Sequence, residues 1–171
     1  MQKEFTNPQA EYGYSAEKHI AALFALDYPE YVLTTAKDAV YKNDFMLASL
    51  DGKLIEKSTG RFGGLEIKTA ELYKKHDFDK WNNRIPDNYY AQILHYFLIT
   101  DWDFFVVCAR IKSKCVDGKI ISTTYTYFYE RKDLKDDLDY LLKKETEFWK
   151  CVTENRRPNL ILPSLERKII E

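Results

Sequence analysis

The sequence has few cysteines, glycines and prolines, and each shortage excludes a class of protein. Its three cysteines, Cys108, Cys115 and Cys151, form no Cys-x-x-Cys pair and cannot supply four thiolates to an iron-sulfur cluster or a structural zinc ion. They are therefore expected to be free thiols. Six glycines and five prolines, beside 3 tryptophans, 13 tyrosines and 10 phenylalanines, exclude a low-complexity or disordered chain.

The sequence also lacks an excess of one charge and a long apolar run. Its 27 acidic and 26 basic residues give a formal charge of −1, which excludes a uniformly basic surface. A polyanion would have to be bound locally. No apolar run approaches the roughly 20 residues of a membrane-spanning helix, and the polar first residues lack a secretory signal. These absences predict a cytoplasmic protein.

The order of predicted helices and strands indicates the fold class. With 171 residues, 45% of them hydrophobic, the chain is expected to form one domain over residues 1–171. The pattern predicts a helix at Ser15–Leu26, strands at Tyr31–Tyr41, Phe45–Leu50 and Phe62–Lys68, a long loop at Thr69–Asn88, a helix at Tyr89–Ile99, strands at Phe104–Lys112 and Ile120–Tyr129 joined through Asp117-Gly118, and a helix at Lys132–Glu154. This order predicts an α/β fold with a mixed central sheet flanked by helices.

Two acids and a lysine on neighbouring predicted strands indicate a candidate catalytic site. Asp51 precedes a glycine at the end of one strand, and Glu66 and Lys68 stand two apart on the next, so they share a face. Carboxylates suit Mg²⁺ or Mn²⁺, and a lysine beside them orients water or stabilises charge on a phosphate. This combination is typical of phosphodiester hydrolysis. An ion pair at the protein surface would give the same short pattern. On a central strand, however, burying these charged side chains without further partners would cost free energy.

Two further polar residues stand on apolar helix faces. Glu17 precedes Ile20 and Phe24 by three and seven residues, where a solvated glutamate is not expected. Gln92 lies on the buried-looking side of its helix, and an interhelical hydrogen bond would explain it equally well. His95 is expected to have a structural role, because the candidate metal donors are hard oxygens.

Five segments carry a family resemblance. In chain order they are Tyr12–Glu17, Phe45–Gly52, Gly64–Ala70, Ile85–Tyr96 and Glu147–Trp149. This series resembles the YqaJ-type viral recombinase nucleases, relatives of phage lambda exonuclease in the PD-(D/E)XK superfamily, whose core is like that of restriction endonucleases. The resemblance covers about residues 12–158 and leaves 159–171 as a C-terminal tail.

The resemblance assigns roles to individual residues. It implies that Asp51, Glu66 and the carbonyl of Ile67 bind Mg²⁺ or Mn²⁺, and that Lys68 is the catalytic lysine. Glu17 would be the helix-borne acid of the site. Gln92 would be the glutamine that the superfamily carries on a helix.

The resemblance also implies an activity and partners. The expected function is a metal-dependent exonuclease that digests one strand of linear duplex DNA for phage-type recombination in the cytoplasm of a bacterial host. A ring-shaped homotrimer and a single-strand annealing protein are implied as partners. A restriction-type endonuclease, a junction resolvase and a non-catalytic DNA-binding module remain alternatives on the same fold. The intact set of acids and lysine argues against the last of these.

The sequence departs from the family pattern in two places. Leu50 stands where the family commonly has proline, at a position that binds no metal. Only about a dozen residues precede the Tyr12-Gly13 element, where relatives carry groups for the DNA 5′ phosphate, so end selection and processivity stay open. An additional upstream acid of the lambda enzyme has Asp44 as its candidate here.

Basic residues are concentrated between Lys53 and Arg84, where eight bases face five acids. Cations for phosphates and aromatic rings for unpaired bases alternate in the loop from Lys74 to Arg84. The predicted DNA-binding residues are Arg61, Lys74, Lys75, Lys80, Trp81 and Arg84. An ordinary solvated loop would have a similar composition. No helix-turn-helix or zinc-finger motif is visible, so sequence-independent binding is expected.

Overall fold

A computed structural model describes residues 7–35, 39–114 and 118–159. The elements in chain order are α1 (Pro8–Asp27), β1 (Tyr31–Thr35), β2 (Val40–Asn43), β3 (Met46–Ser49), β4 (Gly52–Glu56), β5 (Phe62–Leu72), α2 (Lys75–Asp79), α3 (Asp87–Thr100), β6 (Phe104–Lys114), β7 (Ile120–Glu130) and α4 (Lys135–Thr153). A short 3₁₀ turn, Arg131–Asp133, joins β7 to α4. In this part of the chain, no helix is long and apolar enough to cross a membrane.

Five strands form a mixed sheet in the order β1-β4-β5-β6-β7. Strands β5 and β6 are parallel, and the other neighbouring pairs are antiparallel. A parallel pair needs a crossover connection, which α2 and α3 provide. Strands β2 and β3 form a separate hairpin. The mixed sheet flanked by helices confirms the predicted fold class.

The sheet is covered on both faces. Helix α1 packs Ile20 and Phe24 against Leu65 and Val106 on one face. On the other face, α3, α4 and the β2–β3 hairpin cover a second apolar cluster that includes Phe105 of β6. A strand buried on both faces reads as a continuous apolar run, as the start of β6 does.

Two glycines set the distance between the central strands. A Cβ atom on Gly64 would lie 2.1 Å from the ring of Phe105, and one on Gly63 would lie 2.3 Å from the ring of Phe104. The rings of β6 therefore occupy the space that side chains of β5 would need. This close packing fixes the position of β5 immediately before Glu66.

The first helix begins earlier than the pattern predicted. Helix α1 starts at Pro8, and the side chain of Asn7 accepts a hydrogen bond from the backbone N–H of Gln9 at 3.1 Å. Asparagine at the cap followed by proline in the first turn strongly favours the start of a helix. The helix therefore begins there and not at the predicted Ser15, which lies within it.

The strand boundaries also differ from the prediction. The predicted strand over 31–41 is divided between β1 and β2, which lie in different sheets, and β4 was not predicted as a strand. Strand β5 continues to Leu72 because its parallel pairing with β6 continues to that residue, so the predicted loop begins later.

The hairpin between the last two strands is confirmed. Strands β6 and β7 pair antiparallel, and Gly118 has a φ of 83°, a left-handed value that suits glycine in such a turn. Asp117 and residues 160–171 of the expected tail lie outside the described residues. On α4, Leu138 is buried but Leu142, Phe148 and Trp149 are exposed, so much of its apolar surface faces outward.

Candidate active site

The candidate site lies where β4 stops pairing with β5. Gly52, the first residue of β4, pairs with Leu65, so within the described chain the later part of β5 has no strand on that side. There the Asp51 carboxylate supplies the hydrogen-bond acceptor that a paired strand would otherwise provide. Its Oδ2 accepts a hydrogen bond from the backbone N–H of Ile67 at 2.7 Å. The N–H and C=O of one strand residue point to the same edge, so the carbonyl of Ile67 also points to this open edge.

Glu66 is a buried carboxylate held from both a strand and a helix. It is only 4% exposed. Its Oε1 accepts a hydrogen bond from the Lys68 ammonium at 2.5 Å and one from the Gln92 amide of α3 at 3.2 Å. The Lys68 Nζ also lies 4.8 Å from the centre of the Tyr89 ring. The residues singled out on β5 and α3 therefore meet at one point.

Negative charge dominates this region. Burial, and then the charges of Asp51 and Glu17, raise the pKa of Glu66 from 4.5 to about 7, although Lys68 acts in the opposite direction. Glu17 of α1 is therefore near enough for its charge to act on Glu66. Lys68 therefore only partly offsets the effect of burial and of the neighbouring carboxylates on Glu66, so the position of Glu66 favours additional positive charge.

The hydroxyl of Tyr96 belongs to this site and was given no role in the sequence analysis. It donates to the backbone carbonyl of Ser49 at 3.2 Å and accepts a hydrogen bond from the Gln92 amide. Burial raises the pKa of Tyr96, so the hydroxyl keeps its proton. A tyrosine four residues after Gln92 shares its helix face, which is the signal that could have identified it.

His95 has the structural role that was expected. Its Nδ1 lies 2.7 Å from a carboxylate oxygen of Glu145 on α4, and its Nε2 lies 3.1 Å from the carbonyl oxygen of Leu47 on β3. The imidazole therefore joins α3 to two neighbouring elements.

The oxygen donors at the open edge fit a hard divalent cation. In the described ranges, no three histidine, cysteine, aspartate or glutamate side chains come close enough together to bind a metal. The candidate donors are thus the two carboxylates of Asp51 and Glu66 and the Ile67 carbonyl, a set that Mg²⁺ or Mn²⁺ would complete with water. Asp44 is exposed in the turn of the β2–β3 hairpin, at the other end of β3 from Ser49, whose carbonyl accepts the hydrogen bond from Tyr96.

The predicted DNA-binding loop is only partly suited to that role. Lys74 and Arg84 are exposed, and Lys80 lies 3.3 Å from Asp77. The side chain of Lys75 lies outside the described part of the structure.

Two of the predicted DNA contacts need correction. Trp81 is 6% exposed and packs against the rings of Tyr89 and Tyr127, so the prediction that it stacks on bases is wrong. Arg61 directly precedes β5, seven residues before Lys68, and forms an ion pair with Glu130 at 2.5 Å. Its guanidinium is therefore already engaged away from the site.

Comparison with protein families gives a match over residues 1–103, to the YqaJ-like viral recombinase domain. The chain belongs to this family. The match includes Glu17, Asp51, Glu66, Lys68 and Gln92, and family membership supports a nuclease of the phage type. No curated protein matches the chain.

Comparison with solved structures gives matches that include two exonucleases, of which the first shows a similar fold. A phage-related exonuclease from Haemophilus somnus 129PT matches with a TM-score of 0.51 and 12% identity, over 91% of this chain and 76% of that one. The alkaline exonuclease LHK-Exo from Laribacter hongkongensis matches with a TM-score of 0.48 and 14% identity, over 88% of this chain and 76% of that one.

The raised pKa of Glu66 predicts how stability depends on pH without metal. The folded state keeps this proton to a higher pH than the unfolded chain, so stability falls as the pH rises from about 4.5 through 7. Glu66→Gln removes this titration. When the pH is raised from 5 to 8 in EDTA, the unfolding free energy of the variant should therefore increase by about 1 to 3 kcal/mol relative to that of the wild type.

Urea unfolding at the two pH values measures this difference. Asp139→Asn, a change at an exposed acid on α4, is the control and should keep the pH dependence of the wild type. The same difference between Glu66→Gln and the wild type at both pH values would contradict the raised pKa.

Proposed function

We propose that the protein is a divalent-metal-dependent deoxyribonuclease that digests one strand of linear duplex DNA for phage-type recombination. The observation that supports this most strongly is the buried Glu66 carboxylate, held by Lys68 and Gln92 beside Asp51 at an open strand edge. Buried charge is costly, so a fold keeps it where function requires it. Membership of the YqaJ-like family supports the same conclusion.

The proposed roles follow from the positions of the groups. Asp51, Glu66 and the Ile67 carbonyl would hold Mg²⁺ or Mn²⁺. When bound, the cation lowers the pKa of water and offsets charge on the phosphate. The Lys68 ammonium lies beside Glu66, where it orients the attacking water and stabilises negative charge that develops on the phosphate oxygens.

The chemical step is hydrolysis of a phosphodiester. The oxygen of water forms a bond to phosphorus, the bond from phosphorus to one ester oxygen breaks, and a proton reaches the departing oxygen. Gln92 and Tyr96 do not need to react. Their hydrogen bonds keep the Glu66 carboxylate in one orientation, and fixed geometry of this kind contributes to rate.

DNA would approach along the segment between β5 and α3. Its exposed cations, Lys74, Lys80 and Arg84, follow the strand that carries Lys68 and precede the helix that carries Gln92. Contacts to phosphates would hold the duplex without reading its sequence. The homotrimer and the annealing protein implied by the resemblance belong to this proposal as partners.

Removal of the Lys68 ammonium tests the proposed chemistry. Lys68→Ala should slow cleavage by about 10²- to 10⁴-fold, equivalent to about 3 to 5 kcal/mol, while DNA binding persists. Single-turnover digestion of end-labelled linear duplex, with Mg²⁺ or with EDTA, measures the effect. Lys42→Ala, at an exposed lysine on β2, is the matched control and should cleave like the wild type.

The choice of substrate separates the alternatives. An exonuclease degrades linear duplex and spares covalently closed circles. Cleavage of closed circles would favour an endonuclease or resolvase on the same fold. DNA binding without Mg²⁺-dependent cleavage of any substrate would instead indicate a non-catalytic module.

The dependence of DNA affinity on salt tests the proposed DNA path. Each cation that neutralises a phosphate releases condensed counterions. Replacing Lys74, Lys80 and Arg84 together with alanine should therefore lower the slope of log K against log salt by about 2 to 3 units on duplex DNA.

This binding experiment uses the Glu66→Gln background, so that DNA stays intact. Replacing Lys132, Lys135 and Lys143, which are exposed near or on α4, controls for net charge. An equal loss of slope in both triple variants would mean that the segment between β5 and α3 is not the DNA path.

A further inference from the structure

Strand β7 forms an edge of the sheet, and its sequence lacks the charges and prolines that usually protect an edge. It is 11 residues long, and residues 120–129 contain no charged residue and no proline. In the described part of the chain, its backbone pairs only with β6. Long edges are normally blunted by charges, prolines, bulges or short length, and β1 at the other edge has only five residues.

A groove of about 590 Å³ runs along this edge. One wall consists of five successive residues of β7, Tyr125 to Tyr129. Successive strand residues point to opposite faces, so a groove that contacts all five reaches around the edge. The groove also extends to Ile111 of β6 on one face of the sheet.

The opposite wall is formed by α2 and the segment after it. Its residues are Phe78, Asp79, Trp81, Asn82 and Asn83. The Tyr127 hydroxyl donates to the backbone carbonyl of Trp81 at 2.6 Å, which ties the two walls together. The groove is therefore a built part of the fold.

The chemistry of the walls favours a peptide over a nucleic acid. Among the described residues, Asp79 is the one charged residue in the lining, and no lysine or arginine lines the groove to neutralise phosphates. Phe78 and Tyr125 are 37% and 41% exposed and offer apolar contacts. An unpaired strand edge offers N–H and C=O groups at the repeat of another extended peptide backbone.

We propose that this groove binds an extended peptide segment of a partner protein, which adds to the sheet as a strand beside β7. The segment would carry apolar side chains at alternate positions and a basic residue near Asp79. Addition of a strand to an exposed sheet edge is a general mode of peptide recognition, in which backbone hydrogen bonds give affinity and side-chain contacts give specificity.

The opposite wall of the groove also favours a single peptide strand, and not a second copy of this chain, as the occupant. A second copy paired through the same edge would bring its own wall residues, 78–83, against those of the first. The β7 wall of the groove lies two strands, about 10 Å, from β5, and no residue of that wall has a role in the proposed nuclease activity. The opposite wall lies in the segment that carries Lys80, one of the proposed DNA contacts.

The experiment measures binding of a fluorescent peptide, acetyl-Thr-Val-Lys-Val-Thr-Val-amide, by anisotropy. The wild type should bind it, and Tyr125→Lys should weaken binding at least about tenfold by placing a charge in the groove. Tyr140→Lys, at a 65% exposed tyrosine on α4, is the matched control and should bind like the wild type. Phe78→Lys, in the opposite wall, should repeat the effect if Tyr125→Lys fails to fold.

Methylation of the peptide backbone tests strand pairing directly. Alternate residues of a strand direct their N–H groups to the same edge, so a docked peptide uses the donors of only one alternate set. Of two peptides N-methylated on the two alternate sets, one should lose binding and the other should keep it. Equal binding of both methylated peptides would overturn the proposal.

Two further outcomes would replace the peptide with another occupant. Binding of a fluorescent oligothymidylate that Tyr125→Lys removes would assign the groove to nucleic acid. Absence of peptide binding, together with a dimer in sedimentation that Tyr125→Lys dissociates, would assign the edge to a second copy. Magnesium-dependent DNA cleavage should be unchanged in Tyr125→Lys under the proposal, which separates its failure from that of the proposed function.

Discussion

A carboxylate buried on a central strand needs compensating charge, and the candidate site is arranged around that need. Glu66 receives one ammonium and one amide, but Asp51 and Glu17 add negative charge and its pKa stays raised, at about 7. A divalent cation would supply what the side chains do not. The site therefore sacrifices stability in the metal-free protein, as functional sites commonly do.

The surrounding fold holds this arrangement in place. Gly64 lets β5 lie directly against the Phe105 ring, which fixes the strand two residues before Glu66. Asp51 reaches β5 because β4 begins only at Gly52, so its side chain and not a backbone group meets the Ile67 amide. Because β4 stops pairing with β5 before the site, the edge of β5 is open there. The backbone N–H of Ile67 at this edge is nevertheless hydrogen-bonded to Asp51.

Several parts of the site could be predicted because local spacing determines them. The two-residue repeat of a strand places Glu66 and Lys68 on one face, and the apolar pattern of the helices marks Glu17 and Gln92 as unusual. Tyr96 was missed because a tyrosine among apolar residues looks like an ordinary core residue.

Features that depend on tertiary contacts could not be predicted in this way. Trp81 follows a polar loop, but the loop folds back and buries the indole against Tyr89 and Tyr127. Strand β4 is short and carries a lysine, and one of its two neighbours in the sheet, β1, is not adjacent in sequence. The bare edge of β7 likewise depends on the sheet order, which local patterns do not specify.

Calorimetric titration with Mn²⁺ is the most direct measurement of whether this edge binds a cation. We expect one site of hard oxygen donors, with affinity weakened at least about tenfold by Asp51→Asn and by Glu66→Gln, because each removes one of two charged donors. Asp139→Asn should bind like the wild type. Equal Mn²⁺ affinity in the wild type and in both site variants would contradict a metal site built on Asp51 and Glu66.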